Sequence, residues 1–160
     1  PLYVSLYGGK GSLFGWLRLR PTAEIDLDGT ANWVRPPGPA PKVYTNGFAL
    51  SSAVEGSIYT PPGTNHVFEL DTALVGFNAG DLTGPFTNTV ALGPSSRVTN
   101  TSPNKLALAV TPATGRFAGS AIPPGATRAL LFKGAILQRQ GMGGGFFPGT
   151  NQFGYVYFGP

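Results

Sequence analysis

The 160-residue sequence contains no cysteine, one histidine and one methionine, and only 11% of it is charged, against about 25% in an ordinary soluble domain. Each shortage excludes something. Without cysteine, no disulfide staples the fold and no thiolate can serve as nucleophile or metal ligand. A single histidine, His66, rules out two-histidine zinc sites within the chain. No G-x-S-x-G string sets up a serine nucleophile. No stretch approaches the roughly 18 consecutive apolar residues of a membrane-spanning helix, so membrane insertion by helices is not expected. No signal-peptide pattern is read in these residues. The chain begins at Pro1 and its only methionine is Met142, so it reads as a processed or excised piece with neighbouring domains outside it.

Charge is short in both signs. Eleven basic residues stand against seven acidic ones, a net charge of +4, and the basic residues are scattered without a Lys/Arg run. That pattern is a solubility balance, and no nucleic-acid partner is expected from it. The solvent-facing surface must then be made largely of Thr, Ser, Asn and Gly, as in many extracellular β-domains.

What the sequence has in abundance is punctuation. Twenty-four glycines and 16 prolines make up a quarter of the chain, while hydrophobic residues account for 41%. Gly and Pro fall between short β-branched and aromatic runs, the pattern of many strands joined by tight turns. No segment sustains a helical period. Leu2, Val4 and Leu6 alternate with Tyr3, Ser5 and Tyr7. The Gly8–Gly11 turn leads back into a strand over Ser12–Arg20, and a turn at Pro21–Glu24 leads into another over Ile25–Val34. Arg35–Lys42 is a stiff proline-rich loop. Further strands are expected over Val67–Phe77, over Phe86–Leu92 and near Arg97.

The strongest internal signal is a repeat. Residues 2–17, LYVSLYGGKGSLFGWL, align without a gap on residues 106–121, LALAVTPATGRFAGSA, pairing Leu2 with Leu106, Gly11 with Gly115 and Leu13 with Phe117. Residues 47–62 align likewise on 145–160, pairing Phe48 with Phe146 and Tyr59 with Tyr157. These matches predict a single all-β domain over 1–160: copy one about 1–62, an insert over 63–104, and copy two over 105–160. The expected fold is a closed β-barrel or β-sandwich with internal pseudo-twofold duplication and about 10–13 strands, closure being the way to remove exposed strand edges.

The copies also separate candidate core from candidate surface. Positions apolar in both (Leu2, Val4, Leu6, Leu13, Leu17, Phe48, Ile58) are assigned to the core. Alternation turns Tyr3, Tyr7, Phe14, Trp16, Arg18 and Arg20 to the other face, where copy two has Ala107, Thr111, Ala118 and Ser120. Exposed aromatics can stack on the apolar faces of sugar rings, and neighbouring arginines can donate to hydroxyls or carboxylates. These six residues are the candidate ligand site. A loop, the 63–104 segment or a missing domain could instead cover them, and a protein-docking patch is the third reading. Trp33 alternates inward and is assigned to packing.

Chemistry is sparse. Asp26 and Asp28 are expected across a hairpin from Arg20 and Arg18 as ordinary ion pairs; their D-x-D-G string lacks the rest of a calcium loop. His66 near Glu69 and Asp71 reads as a loop residue. Glu69 and Asp71 are expected on one strand face, which does not make the opposed carboxylate pair of a glycosidase. Gly141–Gly145 lacks a P-loop's Lys-Ser/Thr and reads as a flexible hairpin connection. Asn100-Thr101-Ser102 is a sequon. No catalytic residue, metal or cofactor is assigned.

The segments Gly115–Gly119 (GRFAG), Phe132–Gln140 (FKGAILQRQ) and Gly144–Val156 (GGFFPGTNQFGYV) resemble a poorly characterised β-rich accessory module of very large secreted or surface proteins from environmental, verrucomicrobia-like bacteria. The resemblance covers nearly the whole chain. It implies an extracellular, cell-surface role beside other domains. Two functions follow as expectations: a non-catalytic carbohydrate-binding module with polysaccharide or surface glycan as partner, or a structural terminal domain that caps or anchors a long surface protein.

Overall fold

A computed structural model of the chain describes residues 1–20, 25–38, 43–63 and 65–160; the turn expected at 21–24 and residues 39–42 of the proline-rich loop lie outside them. The described residues form twelve β-strands, with helical geometry only in two three-residue turns. The chain divides into two compact units, Pro1–Ile58 and Tyr59–Pro160.

The first unit is an antiparallel meander of β1 (Leu2–Leu6), β2 (Gly11–Leu19), β3 (Leu27–Arg35) and β4 (Phe48–Gly56), in that spatial order. Register sorts its side chains. Leu2 lies opposite Gly15, Val4 opposite Leu13 opposite Trp33 opposite Leu50, and Leu19 opposite Leu27. One face is therefore aliphatic. Tyr3 lies opposite Phe14, Trp16 opposite Thr30, and Arg18 opposite Asp28 and then Glu55, so the other face mixes aromatic, polar and charged groups.

The assignment of faces holds for Leu2, Val4, Leu6, Leu13 and Leu17, but their assignment to a core does not. Val4 and Ile58 are exposed, and the others are only half-buried. Among the described residues, every buried hydrophobic side chain belongs to 67–158. A single four-stranded layer offers no second surface for its apolar face to pack on. Among the described residues of this unit, the buried side chains are polar: Asp26 and Arg35. Asp26 accepts the Ile58 amide at 2.7 Å, and its own amide donates to Gly56 O at 3.0 Å. Together these bonds fix the end of β4 to the entry of β3. Trp33 sits on the aliphatic face as expected, edge-on to Phe48 with ring centroids 5.1 Å apart, yet it remains partly exposed.

The second unit is one eight-stranded sheet built from β5 (Thr72–Ala79), β6 (Phe86–Gly93), β7 (Arg97–Asn100), β8 (Leu106–Thr111), β9 (Arg116–Ala121), β10 (Leu130–Leu137), β11 (Met142–Pro148) and β12 (Phe153–Gly159). Its order is β7-β6-β5-β12-β11-β10-β9-β8, and it curls into a nearly closed barrel. The β7 and β8 edges meet across an asparagine seam. Asn88 donates to Asn100 Oδ1 at 3.4 Å and to Asn104 O at 3.3 Å, and Asn100 donates to Asn104 O at 2.6 Å.

Phenylalanine on glycine fills the interior. Phe77 stacks on Phe86 (4.6 Å), meets Phe132 edge-on (5.1 Å), and Phe117 meets Phe158 at 5.6 Å. A Cβ on Gly134 would lie 2.3 Å from Phe117 Cζ, and one on Gly145 would lie 3.0 Å from it. These strand glycines are the floor on which Phe117 lies. Gly143–Gly145 are therefore part of β11, and the flexible connection expected over 141–145 shrinks to the turn at Gly141, whose φ is +62°.

The strand expected over 67–77 begins only at Thr72. Residues 65–71 instead run irregularly across one end of the barrel, burying Val67 and Phe68. Phe68 meets Phe158 edge-on at 5.0 Å, and the Val67 amide donates to Ser96 Oγ at 2.8 Å. Glu69 and Asp71 thus share no strand face. The 63–104 segment supplies three strands of the barrel, with β5 bonded directly to β12.

The two aligned blocks fare differently. The first gives a hairpin in both places, β1-β2 and β8-β9, although the register slips by two residues: Leu2 faces Gly15, whereas Leu106 faces Ala121. The second block does not correspond. Residues 47–62 contain one strand, whereas 145–160 contain the end of β11, a turn and β12. Phe48 therefore opens a strand while Phe146 sits inside one.

Candidate functional site

The aromatic stripe expected from sequence is largely assembled on the polar face of the first unit. Tyr3 and Phe14 are direct cross-strand partners, and Trp16 lies one pleat along from Phe14 on the same side. Trp16 is 74% and Tyr3 72% exposed, with Phe14 less open between them. Two residues of strand advance by about 6.8 Å, and directly opposed side chains stand about 5 Å apart. Three rings thus lie within one saccharide's reach of each other. Around them the register places Ser5, Ser12, Thr30, Asn32 and Ser51, short polar groups able to donate and accept.

Arg18 and Arg20 are on this face too, but both guanidinium groups are engaged. Arg18 Nη2 and Arg20 Nη2 each reach Asp28 Oδ2 at 2.8 Å, and Arg20 Nε reaches Oδ1 at 3.2 Å. The pairing predicted for Asp28 is present. It draws in Arg20 as well, which was expected to face Asp26. The Arg20 hydrogen bond, assisted by Arg18, holds the Asp28 carboxyl below the usual aspartate range despite some desolvation. The arginines keep donors to spare, since a guanidinium has five, and Arg18 stays two-thirds exposed.

Tyr7 departs from the stripe. The chain turns after Leu6, with Tyr7 at φ +56°, and the side chain joins the aliphatic face. Its hydroxyl accepts the Trp33 indole N–H at 3.1 Å, and its ring lies 5.4 Å from the Arg35 guanidinium carbon. Alternation failed there because the strand had already ended.

The second unit places the other sequence candidates. His66 and Glu69 stand at the barrel end, which 65–71 cross and to which the chain comes through residues 59–63. This segment is pinned by Tyr59, whose hydroxyl donates to Pro112 O, and by Gln138, which accepts the Thr60 amide at 2.7 Å and donates to the Thr60 carbonyl at 2.8 Å. Burial raises the Tyr59 phenol, so it stays protonated as the donor. Asn100 of the sequon is committed to the seam, its carboxamide bonded to Asn104, Ser102 and Asn88. Sequence reasoning passed over Gln138 and Gln140. The only available signal was a pair of glutamines two residues apart at a strand end. Among the described residues, no group of three or more His, Asp or Glu side chains is placed to hold a metal ion.

Compared with known proteins, the chain matches no family model, no curated protein and no solved structure.

Proposed function

We propose that the chain is a non-catalytic extracellular module that binds polysaccharide at a cell surface through the Tyr3–Phe14–Trp16 face of its four-stranded sheet. The observation that carries this reading is the exposure of two large aromatics, Tyr3 and Trp16, on one sheet face among Ser, Thr and Asn. An indole and a phenol left in water lose the gain of burial, and a sugar ring laid on them restores it. The short polar neighbours suit sugar hydroxyls, and the spare donors of Arg18 and Arg20 suit a hydroxyl or a uronate.

The test is affinity electrophoresis and glycan-array binding of the full chain beside its Trp16→Ala variant. Retardation by at least one neutral or acidic polysaccharide is expected, with affinity falling about tenfold or more in Trp16→Ala, the equivalent of roughly 1.4 kcal/mol. Binding that is unchanged in Trp16→Ala would remove the face from consideration.

A structural role as a terminal or anchoring domain is favoured by a different observation. Leu19, Leu50 and Val4 are exposed on the opposite, aliphatic face, and β1 and β4 are both edge strands. On that reading a neighbouring domain of a larger chain covers the aliphatic face. Substituting Leu19 and Leu50 together by Ser would then weaken docking of such a neighbour and leave polysaccharide retardation intact.

A further inference from the structure

The capped end of the barrel holds a cleft of about 930 Å³, within the size range of small-molecule sites. Asn65, His66 and Glu69 of the crossing segment line it together with Gln138 and Gln140 of the β10-β11 turn. All of these belong to the second unit, so the cleft shares no residue with the aromatic face.

Gln140 is the anomaly. Its Nε2 and Oε1 are both buried, and neither has a hydrogen-bond partner among the described residues. A buried carboxamide with both ends unpaired is rare in folded proteins, because each lost bond carries the full desolvation cost. Two residues earlier, Gln138 shows the same group with its needs met: it accepts from the Thr60 N–H and donates to the Thr60 carbonyl. Gln140 presents that adjacent donor and acceptor with nothing to read.

We propose that this cleft is a second binding site, taking a neutral polyhydroxylated ligand of the saccharide class, and that Gln140 turns into it to bond a vicinal pair of hydroxyls. Adjacent hydroxyls supply one acceptor and one donor side by side, the complement of a carboxamide. The terminal torsion of glutamine is soft, so the rotation needs no backbone change. Other ligand classes fit less well. Among the described residues, the cleft lining contains no arginine or lysine for a phosphate, and Glu69 opposes one. Of the two aromatic rings among the described lining residues, Phe68 is buried in the barrel and the smaller imidazole of His66 is half-buried, so neither offers a wide open face for a base. The cleft lies across strand ends, so it gives an extended peptide no edge to pair with. His66 and Asn65, which also line the cleft, add donors and acceptors.

The test titrates the full 15N-labelled chain with maltose, cellobiose and chitobiose and follows glutamine side-chain amide signals. The expected result is that at least one disaccharide shifts the Gln140 NH2 pair and leaves the Gln138 pair in place. Gln140→Leu should weaken that sugar about tenfold or more, with a melting temperature equal to or above that of the parent chain. Trp16→Ala should leave these shifts unchanged, which separates this cleft from the aromatic face. The proposal is overturned if none of the three sugars moves the Gln140 signals. It is also overturned if the affinity survives in Gln140→Leu, or if that variant melts lower, the sign that the carboxamide is satisfied inside the fold.

Discussion

Leu13 and Phe117 occupy the same place in the internal alignment, and each sits on the second strand of a tight antiparallel hairpin. Phe117 is 2% exposed, whereas Leu13 is only half-buried. The local pattern is shared, so the hairpin is shared. Burial is decided by how many strands are available to curl. Eight strands bring β7 back to β8 and enclose an interior; four make a single layer that encloses none. The first unit is held by backbone ladders, the buried Asp26 and ring-edge contacts, and the second by a phenylalanine core.

That contrast can be broken most directly at Phe117. Phe117→Ala removes a ring from the barrel centre and should destabilise the second unit by about 3–5 kcal/mol. Leu13→Ala should cost the first unit about 1 kcal/mol, since only part of its side chain leaves water. Both tryptophans, Trp16 and Trp33, lie in the first unit. Indole fluorescence in a urea titration therefore follows that unit, while far-ultraviolet circular dichroism follows both. A Phe117→Ala variant whose dichroism midpoint stays put would contradict the core assignment.

Glycines sharpen the same point at smaller cost. Gly134→Ala pushes a methyl group onto Phe117 and the Gly144 carbonyl, 2.3 and 2.4 Å from where its Cβ would stand. Overpacking of this kind costs about 1–3 kcal/mol. Gly144→Ala, one position across the pleat of β11, meets nothing within 4 Å. It should be neutral to within about 0.5 kcal/mol. Equal effects from the two substitutions, read as denaturation midpoints, would mean that β11 is not in this register.

The sequence carried strand periodicity and turn chemistry well. The hairpin expected around Gly8–Gly11, the split of Leu2, Val4 and Leu6 from Tyr3 and Ser5, and the pairing of Arg18 with Asp28 are all local, set by alternation and by tight turns. Three features were hidden because they depend on distant partners. Nothing near Val67 and Phe68 distinguishes a strand from a plug; what decides it is the open barrel end they fill. The glycines at 143–145 look flexible until Phe117, more than twenty residues away, is laid across them. The second aligned block reads as a repeat because Gly, Phe and Tyr recur, yet two strands and a turn occupy one stretch and a single strand the other. Of the six candidate site residues, Tyr3, Phe14, Trp16, Arg18 and Arg20 share a face, while Tyr7 was lost to a turn that alternation cannot see.

Buried polar anchoring in the first unit gives a third comparison. Asp26→Ala strands the Ile58 amide, which now donates to the carboxylate at 2.7 Å. About 1–3 kcal/mol should be lost, visible in the indole midpoint and not in the unfolding of the barrel.

The smallest effect distinguishes two ways of holding a carboxylate. Asp28 is kept below the ordinary aspartate range chiefly by the Arg20 hydrogen bond, Asp81 chiefly by the backbone amide of Asn151 at 2.7 Å, with Gln152 behind it. Both shifts have the same sign. Each folded value lies below the unfolded one, so each stabilising contribution is complete above the unfolded aspartate value and disappears as pH falls through the folded value. Asp81 is solvent-exposed, and Asp28, though largely covered, is paired with arginines that stay more than half exposed, so both contributions are small. Their salt dependence differs. Mobile ions screen the charged Arg–Asp pair on the open sheet, whereas a backbone amide fixed in the turn at 149–152 is a dipole at hydrogen-bond distance and is screened little. Carboxyl chemical shifts followed through an acid titration should therefore show the Asp28 midpoint rising toward its ordinary value in molar salt while the Asp81 midpoint barely moves. Two midpoints that rise together would mean that the turn around Asp81 opens before its carboxylate protonates, and that the barrel loop is no firmer than the open sheet.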